Sequence, residues 1–363
     1  MSDRPAVLIL GGGGFIGQRL RLRLMDRYDL LTVDIRRPAP VHTLMGAHPQ
    51  PQPWERIAVL DQGDPNDVEQ ILTFAGAHRE RLAGVVHLTA YYDFRNQPDV
   101  RYDRLENTFR ALLLGLDQLL PDGAPILHSS SMAAMAPTEP GQRQTADSPR
   151  LGAWAYPRHK LAMERIIENL ALQTPRPLAE LVLAGVYSDR AELVPLFQQI
   201  ERIRARRIEA LFYPGATDRG LTYVHVDDVA AAFDLGLERL RDRPAVHRLL
   251  IGEPEPVSYE DIHVRAGQAF HGQAGPLFDV PPWVAKAGAA VLGWLGDQIG
   301  VRRFLRAWMV DYAGEHFAFD LSDTEAALGW QPQVHLRERL DVILQFAHTH
   351  PELWLEVNHA RPW

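Results

Sequence analysis

A tyrosine and a lysine four positions apart, Tyr156 and Lys160, are the pair in this sequence best suited to proton transfer. If their segment is helical, both side chains lie on one face, one turn apart. A phenol titrates at about 10, so it is a poor base at neutral pH unless a nearby positive charge stabilises the phenolate. The lysine ammonium supplies that charge. The spacing therefore indicates a tyrosine that exchanges a proton with a substrate hydroxyl.

A run of three serines, Ser129 to Ser131, precedes Tyr156 and follows a short apolar run that predicts a strand. A hydroxyl at that strand end can hold a substrate oxygen beside the tyrosine. Serines at strand ends also satisfy local backbone groups, and we favour that interpretation for Ser129 and Ser130.

A glycine cluster opens the chain, with Gly11, Gly14 and Gly17 spaced as GxxGxxG and Phe15-Ile16 between the last two. It directly follows a predicted strand and begins a predicted helix. Glycine allows the backbone to turn tightly and approach a pyrophosphate, and the free N–H groups of the helix N-terminus favour the anion. The context predicts a dinucleotide site.

Asp34 closes the second predicted strand. A carboxylate there accepts hydrogen bonds from the adenosine ribose and repels a 2′-phosphate, which favours NAD. Arg36 and Arg37 follow directly and could meet a phosphate instead, so NADP stays open.

Short apolar runs alternate with helical patterns through the first half of the chain, which is typical of βαβ units and a parallel sheet. We predict a Rossmann-type doubly wound α/β fold with a smaller, mostly helical C-terminal lobe. The dinucleotide domain would span 1–188 with returns at about 222–252, and the substrate lobe 189–221 and 253–363. The predicted strands are Val7–Leu10, Leu30–Val33, Ile57–Leu60, Gly84–Leu88, Ile126–Ser129, Ala179–Leu183, Leu221–Val226 and His247–Ile251. The predicted helices are Ile16–Arg27, Val68–Phe74, Tyr102–Leu120, Tyr156–Leu172, Ala191–Arg207 and Asp228–Leu240.

The composition is that of a globular protein, with 363 residues, a net charge of −8 and no cysteine. The acidic balance gives no reason to expect nucleic acid, and the arginines of 202–207 suggest a solvated helix face. Without cysteine there are no disulfides or thiolate metal sites, which fits the cytoplasm. The apolar stretch Trp283–Leu295 is too short to span a membrane. We expect a cytoplasmic enzyme with a small-molecule substrate and no membrane span.

The order of motifs resembles the extended short-chain dehydrogenases/reductases, the NAD-dependent epimerase/dehydratase family. The motifs that carry the resemblance are GGGGFIG, Asp34, Gly63-Asp64, VVHLTA (Val85–Ala90), Asn107, HSSSM, YPRHK, AGVY (Ala184–Tyr187), YVHVDDVAAA (Tyr223–Ala232) and LGWQP (Leu328–Pro332).

The resemblance implies a Ser-Tyr-Lys active site, in which Ser131 is the catalytic serine and Tyr156 and Lys160 are the acid/base and its helper. It implies NAD as cofactor and a homodimer formed through the helices Tyr102–Leu120 and Tyr156–Leu172. The further cofactor residues would be Leu88, Thr89 and Ala90 along the ring system, Asn107 in support and Asp64 at the adenine, where Pro65 lacks the N–H that family members offer.

Several positions depart from the family pattern. Met135-Ala136 replace a common Tyr-Gly, Val182 replaces an arginine, and Arg219 is offset from the position that holds a diphosphate. We therefore favour a reductase or dehydrogenase acting on a secondary alcohol or ketone of a fairly apolar molecule. The alternatives are a nucleotide-sugar epimerase or dehydratase that retains NAD, and a catalytically silent dinucleotide sensor.

Some chemically suggestive residues have a structural interpretation. In the HVDD segment we expect Asp227 and Asp228 to cap a helix rather than bind a metal, and we predict no metal site. Arg158 and His159 should be solvated or interfacial. We expect Trp283, Trp294, Trp308 and Trp330 to form lobe core, although some of them, with Val284–Leu295, could wall a pocket or touch a membrane surface.

Overall fold

A computed structural model of the protein describes residues 3–41, 54–93, 96–298 and 306–359. Its strands, in chain order, are β1 (Ala6–Leu10), β2 (Asp29–Asp34), β3 (Glu55–Val59), β4 (Leu82–His87), β5 (Ile126–Ser131), β6 (Leu178–Leu183), β7 (Gly185–Tyr187), β8 (Phe212–Pro214), β9 (Gly220–Leu221), β10 (Tyr223–His225), β11 (Val246–Ile251), β12 (Val257–Ser258) and β13 (Phe278–Val280). The helices are α1 (Phe15–Leu24), α2 (Pro65–Gly76), α3 (Val100–Leu119), α4 (Ala155–Ala171), α5 (Val194–Arg204), α6 (Val226–Arg239), α7 (Tyr259–His271), α8 (Pro282–Gln298), α9 (Val310–Ala313), α10 (Ser322–Leu328), α11 (Leu336–Thr349) and α12 (Pro351–His359).

Seven strands form one parallel sheet in the order β11-β6-β5-β4-β1-β2-β3. The strands at its centre are buried along their whole length, as parallel strands covered on both faces must be. Helices α1 and α6 pack on one face, and α2, α3 and α4 on the other. The predicted Rossmann-type doubly wound fold is confirmed.

A second apolar cluster joins α5, α7, α11 and α12 away from the central sheet, with Phe197, Ile262, Leu340 and Trp354 among its buried members. Three short strand pairs accompany it: β7 with β10, β8 with β13, and β9 with β12. The sequence predicted one strand over Leu221–Val226, but the chain divides it into β9 and β10, which pair with different partners. The lobe boundaries and the homodimer stay predictions.

Helix α5 is shorter than predicted. Ala191 and Glu192 have φ of 67° and 52°, and Arg206 has φ of 50°. These left-handed conformations cannot continue a right-handed helix. The helix therefore starts at Val194 and ends at Arg204.

The proline-containing loop over 137–149 is held in place by hydrogen bonds. Gln144 is buried, its N–H donates to Ala318 O at 2.7 Å, and its carbonyl accepts from Asp320 N at 2.8 Å. Its side chain accepts from Ala318 N at 2.9 Å. Thr138 N also donates to His316 O at 2.9 Å. The other proline-rich loop, 38–53, lies largely outside the described residues.

The late tryptophans fall into three groups, of which Trp308 is half-buried and lines the cavity described below. Trp330 is buried and donates to Asp228 O at 3.0 Å, so its predicted core position is confirmed. Trp283 and Trp294 on α8 are 73% and 62% exposed. The prediction that they form lobe core is wrong, because α8 packs on the rest of the protein through its opposite side.

Candidate active site

The glycine turn joins β1 to α1. Gly11 has φ of 81°, and a Cβ there would lie 3.0 Å from Thr89 N. A Cβ on Gly17 would lie 2.5 Å from Gly11 O. The first turn of α1 therefore approaches the end of β1 so closely that only glycine fits at these two positions. The N–H groups of Gly11 to Gly14 already donate to other groups of the protein. The donors left for an anion are those at the first turn of α1, where Phe15 and Ile16 line the cavity described below.

Asp34, at the end of β2, lies against this turn. Its Oδ2 accepts from Gly13 N at 2.9 Å and its Oδ1 from Arg36 N at 3.3 Å. Arg36 is exposed. The carboxylate thus stands beside the glycine turn. Neither Asp34 nor Arg36 lines the cavity described below, and their roles toward the adenosine ribose stay predictions.

Two predicted cofactor residues lie elsewhere. Asp64 is the N-cap of α2, and its Oδ1 accepts from Asn66 N at 2.8 Å. Pro65 occupies the first turn, where a missing N–H costs nothing. Asn107 is exposed on α3. Neither Asp64 nor Asn107 lines the cavity, so their roles toward NAD stay predictions without a supporting contact.

The three predicted catalytic side chains meet. Ser131 ends β5, and Tyr156 and Lys160 occupy successive turns of α4. The Ser131 hydroxyl is hydrogen-bonded to the Tyr156 side chain. Lys160 Nζ donates to Ser129 O at 2.7 Å and lies 5.9 Å from the centroid of the Tyr156 ring.

Burial dominates the electrostatics of the site. It raises the pKa of Tyr156 to about 12, against a smaller lowering by the Ser131 hydrogen bond. Burial lowers the pKa of Lys160 to about 8, while the charge of Glu164 acts the other way. We expected Lys160 to lower the pKa of the phenol. The net shift of that pKa is instead upward, because burial penalises the phenolate.

Glu164, on the next turn of α4, is a residue that the sequence reasoning missed. It accepts a hydrogen bond from Ser130 Oγ and lies 3.3 Å from Arg150. The spacing of four from Lys160 and eight from Tyr156 was the available signal, since it places all three on one helical face.

Buried histidines behind the site were also missed. His87 and His128 share a hydrogen bond between their Nδ1 atoms at 2.8 Å, and Gln62 Nε2 lies 2.6 Å from His87 Nε2. Burial lowers the pKa of both imidazoles well below the usual range. His159 is buried as well and contacts Glu106 at 2.9 Å, so its predicted solvation is wrong: α3 covers that side of α4.

One cavity of about 1070 Å³ borders both the glycine turn and the catalytic residues. Tyr156 packs edge-on to Tyr92, with ring centroids 4.8 Å apart. From Tyr156 an aromatic wall continues through Trp154, Trp308 and Tyr312, whose successive ring centroids are 5.7, 5.3 and 5.8 Å apart. The predicted residues that line the cavity are Gly11, Gly14, Phe15, Ile16, Gly17, Leu88, Ala90, Ser131, Tyr156 and Lys160, whereas Thr89 packs its backbone against Gly11.

The far end of the cavity carries charged groups. Arg219 pairs with Glu139. Arg202 is half-buried in the lining rather than on a solvated face as predicted, and its Nε has no hydrogen-bond partner among the described residues. Glu315 also lines the cavity, and burial raises its pKa to about 7.

The HVDD segment is structural. His225, rather than an aspartate, caps α6 by accepting from Asp227 N at 3.3 Å. Asp228 is buried and accepts from Gln333 N and Val334 N at 3.0 and 2.9 Å. It therefore ties the LGWQP segment to α6. Over the described ranges, no group of three or more His, Asp or Glu side chains is placed to bind a metal.

Comparison with known proteins adds the family. A sequence model of the "NAD dependent epimerase/dehydratase family" matches residues 7–252. A dTDP-L-rhamnose 4-epimerase of Burkholderia thailandensis is 31% identical over 186 residues, which are 49% of this chain and 42% of that relative. The match thus spans less than half the length of that protein.

Among solved structures, the UDP-glucose 4-epimerase of Thermotoga maritima with UDP-glucose matches with TM-score 0.66 and 18% identity, over 96% of this chain and 100% of that one. The UDP-glucuronic acid 4-epimerase of Bacillus cereus with UDP-glucuronic acid and NAD matches with TM-score 0.68 and 16% identity, over 95% and 99%. These likenesses confirm the fold. In the parts of the chain that the structure describes, no helix is long and apolar enough to cross a membrane. The chain belongs to the NAD-dependent epimerase/dehydratase family.

Proposed function

We propose that the enzyme oxidises a secondary alcohol of its substrate at Tyr156, and that the complete reaction is the epimerisation of a nucleotide sugar with NAD retained. The observation that carries the proposal is that the same cavity is lined by the glycine turn and by Ser131, Tyr156 and Lys160. A dinucleotide along the turn would place its nicotinamide next to these side chains.

The residues fit the cofactor, since the first turn of α1, whose N–H groups have no intrahelical partner, borders the cavity and Asp34 stands beside the glycine turn. When bound, NAD supplies the hydride acceptor and a positive charge. The Ser131 hydroxyl holds the substrate oxygen, and Tyr156 takes the hydroxyl proton as the carbon gives up its hydride. Lys160, held by Ser129 O, stabilises the phenolate with its ammonium.

For epimerisation, Tyr156 would return its proton to the ketone oxygen while hydride returned to the opposite face of the ketone carbon, with no net change in the cofactor. The substrate must then turn over within the site between the two steps. The cavity of about 1070 Å³ is at the upper end of small-ligand pockets, about 300–1,000 Å³, and it would have to hold both the dinucleotide and the turning sugar.

Support for a nucleotide sugar comes from both the relatives and the far end of the cavity. The relative and the two structures above are named as epimerases of dTDP- or UDP-linked sugars. Arg202 lines this end of the cavity, where its guanidinium would donate to a phosphate oxygen. Tyr213 and Tyr259, whose rings lie 4.0 Å apart, line the same region and offer an apolar wall for a base.

A second candidate is the reduction of an apolar ketone, as we expected from the sequence. The aromatic wall of Trp154, Trp308 and Tyr312 favours it. So does Arg219, which is engaged by Glu139 and is not free to hold a phosphate.

The test measures NAD in the purified protein, then follows dTDP- and UDP-hexoses by NMR for inversion at a carbinol carbon. We expect bound NAD, inverted product and constant absorbance at 340 nm. Net absorbance change with apolar ketones would support the second candidate instead. Tyr156→Phe should lower turnover by about 10²–10⁴-fold while NAD stays bound. Unchanged turnover would contradict both candidate functions, because both use Tyr156 for proton transfer.

Arg202→Met tests the substrate class. We expect KM for the nucleotide sugar to rise at least about tenfold, equivalent to about 1.4 kcal/mol, with kcat little changed. Arg206→Met is the matched control, because Arg206 belongs to the same basic cluster but is exposed outside the cavity. Equal KM values for the two variants would exclude Arg202 from substrate binding.

A further inference from the structure

Large exposed apolar side chains concentrate in one part of the chain. On α8 they are Trp283, Val284, Val291, Trp294 and Leu295, and just before it Phe278. Their spacing of one, three, four and seven residues along α8 places them on one helical face. The helix thus turns an apolar face to solvent instead of into the core.

A second exposed apolar group lies on the strand pair that leads into α8. Phe212 on β8 and Phe278 on β13 are paired residues with ring centroids 6.0 Å apart, and both are exposed. The next residue of β8, Tyr213, is buried and therefore faces the opposite side of this strand pair. Strand β8 packs directly against α8.

Positive charge adjoins these apolar groups. Arg206 and Arg207 are exposed. They directly precede Ile208, which is 60% exposed and begins the turn Ile208–Leu211 that leads into β8. Neither guanidinium forms an ion pair with a described residue. On α8 itself Lys286 is paired with Asp311 at 2.5 Å. The free cations therefore stand beside the apolar groups, against the net charge of −8 of the whole chain.

We propose that the exposed face of α8, together with Phe212, Phe278, Ile208, Arg206 and Arg207, is a peripheral docking surface for an anionic lipid bilayer. Tryptophan is favoured at the membrane interface, and here one stands near each end of the apolar face. Basic residues beside an apolar helix face are the pattern that binds anionic headgroups while the apolar side chains enter the acyl boundary.

A second copy of the chain fits this surface less well. A helix of 17 residues is about 25 Å long at 1.5 Å per residue. With a face about 10 Å wide it offers roughly 250 Å², against about 800 Å² per partner for a stable interface. An anionic bilayer, by contrast, supplies unlimited area and a charge opposite to that of Arg206 and Arg207.

Docking would bring the substrate cavity to the bilayer. Helix α8 packs on the turn Ala307–Met309, and Trp308 and Met309 of that turn line the cavity. The proposal does not depend on which substrate the enzyme takes.

The experiment is co-sedimentation of the full chain with sucrose-loaded vesicles of phosphatidylglycerol and phosphatidylcholine in equal parts, and with vesicles of phosphatidylcholine alone. We expect binding to the anionic vesicles that weakens at high salt. Trp283→Ser with Trp294→Ser should lower the partition coefficient at least about tenfold, and Leu172→Ser, which removes an 86% exposed side chain elsewhere, should leave it unchanged.

Arg206→Glu with Arg207→Glu should abolish the preference for anionic vesicles, and Arg165→Glu, an exposed arginine on α4, should keep it. All these side chains are exposed, so the variants should fold, which circular dichroism checks. Wild-type protein that stays in the supernatant with anionic vesicles overturns the proposal. So does a dimer in light scattering that the two tryptophan substitutions dissociate, since that result assigns the face to a second copy.

Discussion

Replacing Gly17 by alanine tests whether the glycine turn is built for close approach of the backbone. The added methyl carbon would lie 2.5 Å from Gly11 O, 2.6 Å from Gly12 Cα and 2.7 Å from Gly12 C. All three are backbone atoms, so no side chain can rotate away. Relieving contacts of 2.5 Å to at least the 3.0 Å that real Cβ atoms keep requires α1 to move relative to the turn.

Forcing a group into a packed site of this kind costs about 1–3 kcal/mol. We expect Gly17→Ala to lower the free energy of unfolding by that amount and to raise the Kd for NAD at least about tenfold, because the displaced N–H groups are those that would face the pyrophosphate. Thermal unfolding with and without NAD and calorimetric titration measure the two effects.

Gly288→Ala is the matched control. Gly288 lies inside α8 with nothing within 4 Å of the added methyl, so alanine should stabilise the helix by about 0.5–1 kcal/mol and leave NAD affinity unchanged. Normal stability together with normal NAD affinity in Gly17→Ala would refute the reasoning.

Three further predictions concern named contacts. Folding favours the neutral form of Glu315, whose pKa is raised to about 7, so the stability of the wild type is full below about pH 4.5 and falls as the pH rises through 7. Glu315→Gln should therefore stabilise the chain at pH 8, at most by a few kcal/mol at about 1.4 kcal/mol per pKa unit, and change its stability little at pH 4. Urea unfolding at both pH values measures this, and an equal change in stability at pH 4 and pH 8 would contradict it. Arg21→Leu should lower the free energy of unfolding by about 3–5 kcal/mol, because Glu55 would keep a buried charge without its partner. The double variant with Glu55→Leu should recover part of that loss, and a double variant less stable than the single one would contradict the prediction. Asp34→Ala should raise the Kd for NAD about tenfold without weakening NADP, and equal losses for both dinucleotides in calorimetry would count against a ribose contact.

The sequence predicted the elements that follow strong periodic patterns. The ends of the central strands and flanking helices differ from the predicted ones by three residues or fewer. The glycine turn and the Tyr156–Lys160 pair were found because each depends on residues close together in the chain. Ser131 required the family resemblance, since three adjacent serines look alike until one is seen against Tyr156.

Other features depend on contacts between distant segments. The pairs β7–β10, β8–β13 and β9–β12 are only two or three residues long, too short for alternation to show. Asp64 looked like an adenine contact, but its capping of α2 could have been read from the proline that follows. The Gln62, His87 and His128 cluster and the exposure of Trp283 gave no local signal, because burial there is decided by which helix covers which strand.

The fastening of Gln144 has a consequence for redesign. Its backbone and side chain together hold the 137–149 loop to Ala136, Ala318 and Asp320. Only the two side-chain bonds need a glutamine. At roughly 1 kcal/mol for each hydrogen bond, a loop transplanted from a relative without glutamine at this place would lose about 2 kcal/mol. A library that varies this loop should therefore keep Gln144. Variation aimed at new substrates is better placed at the side chains that line the cavity.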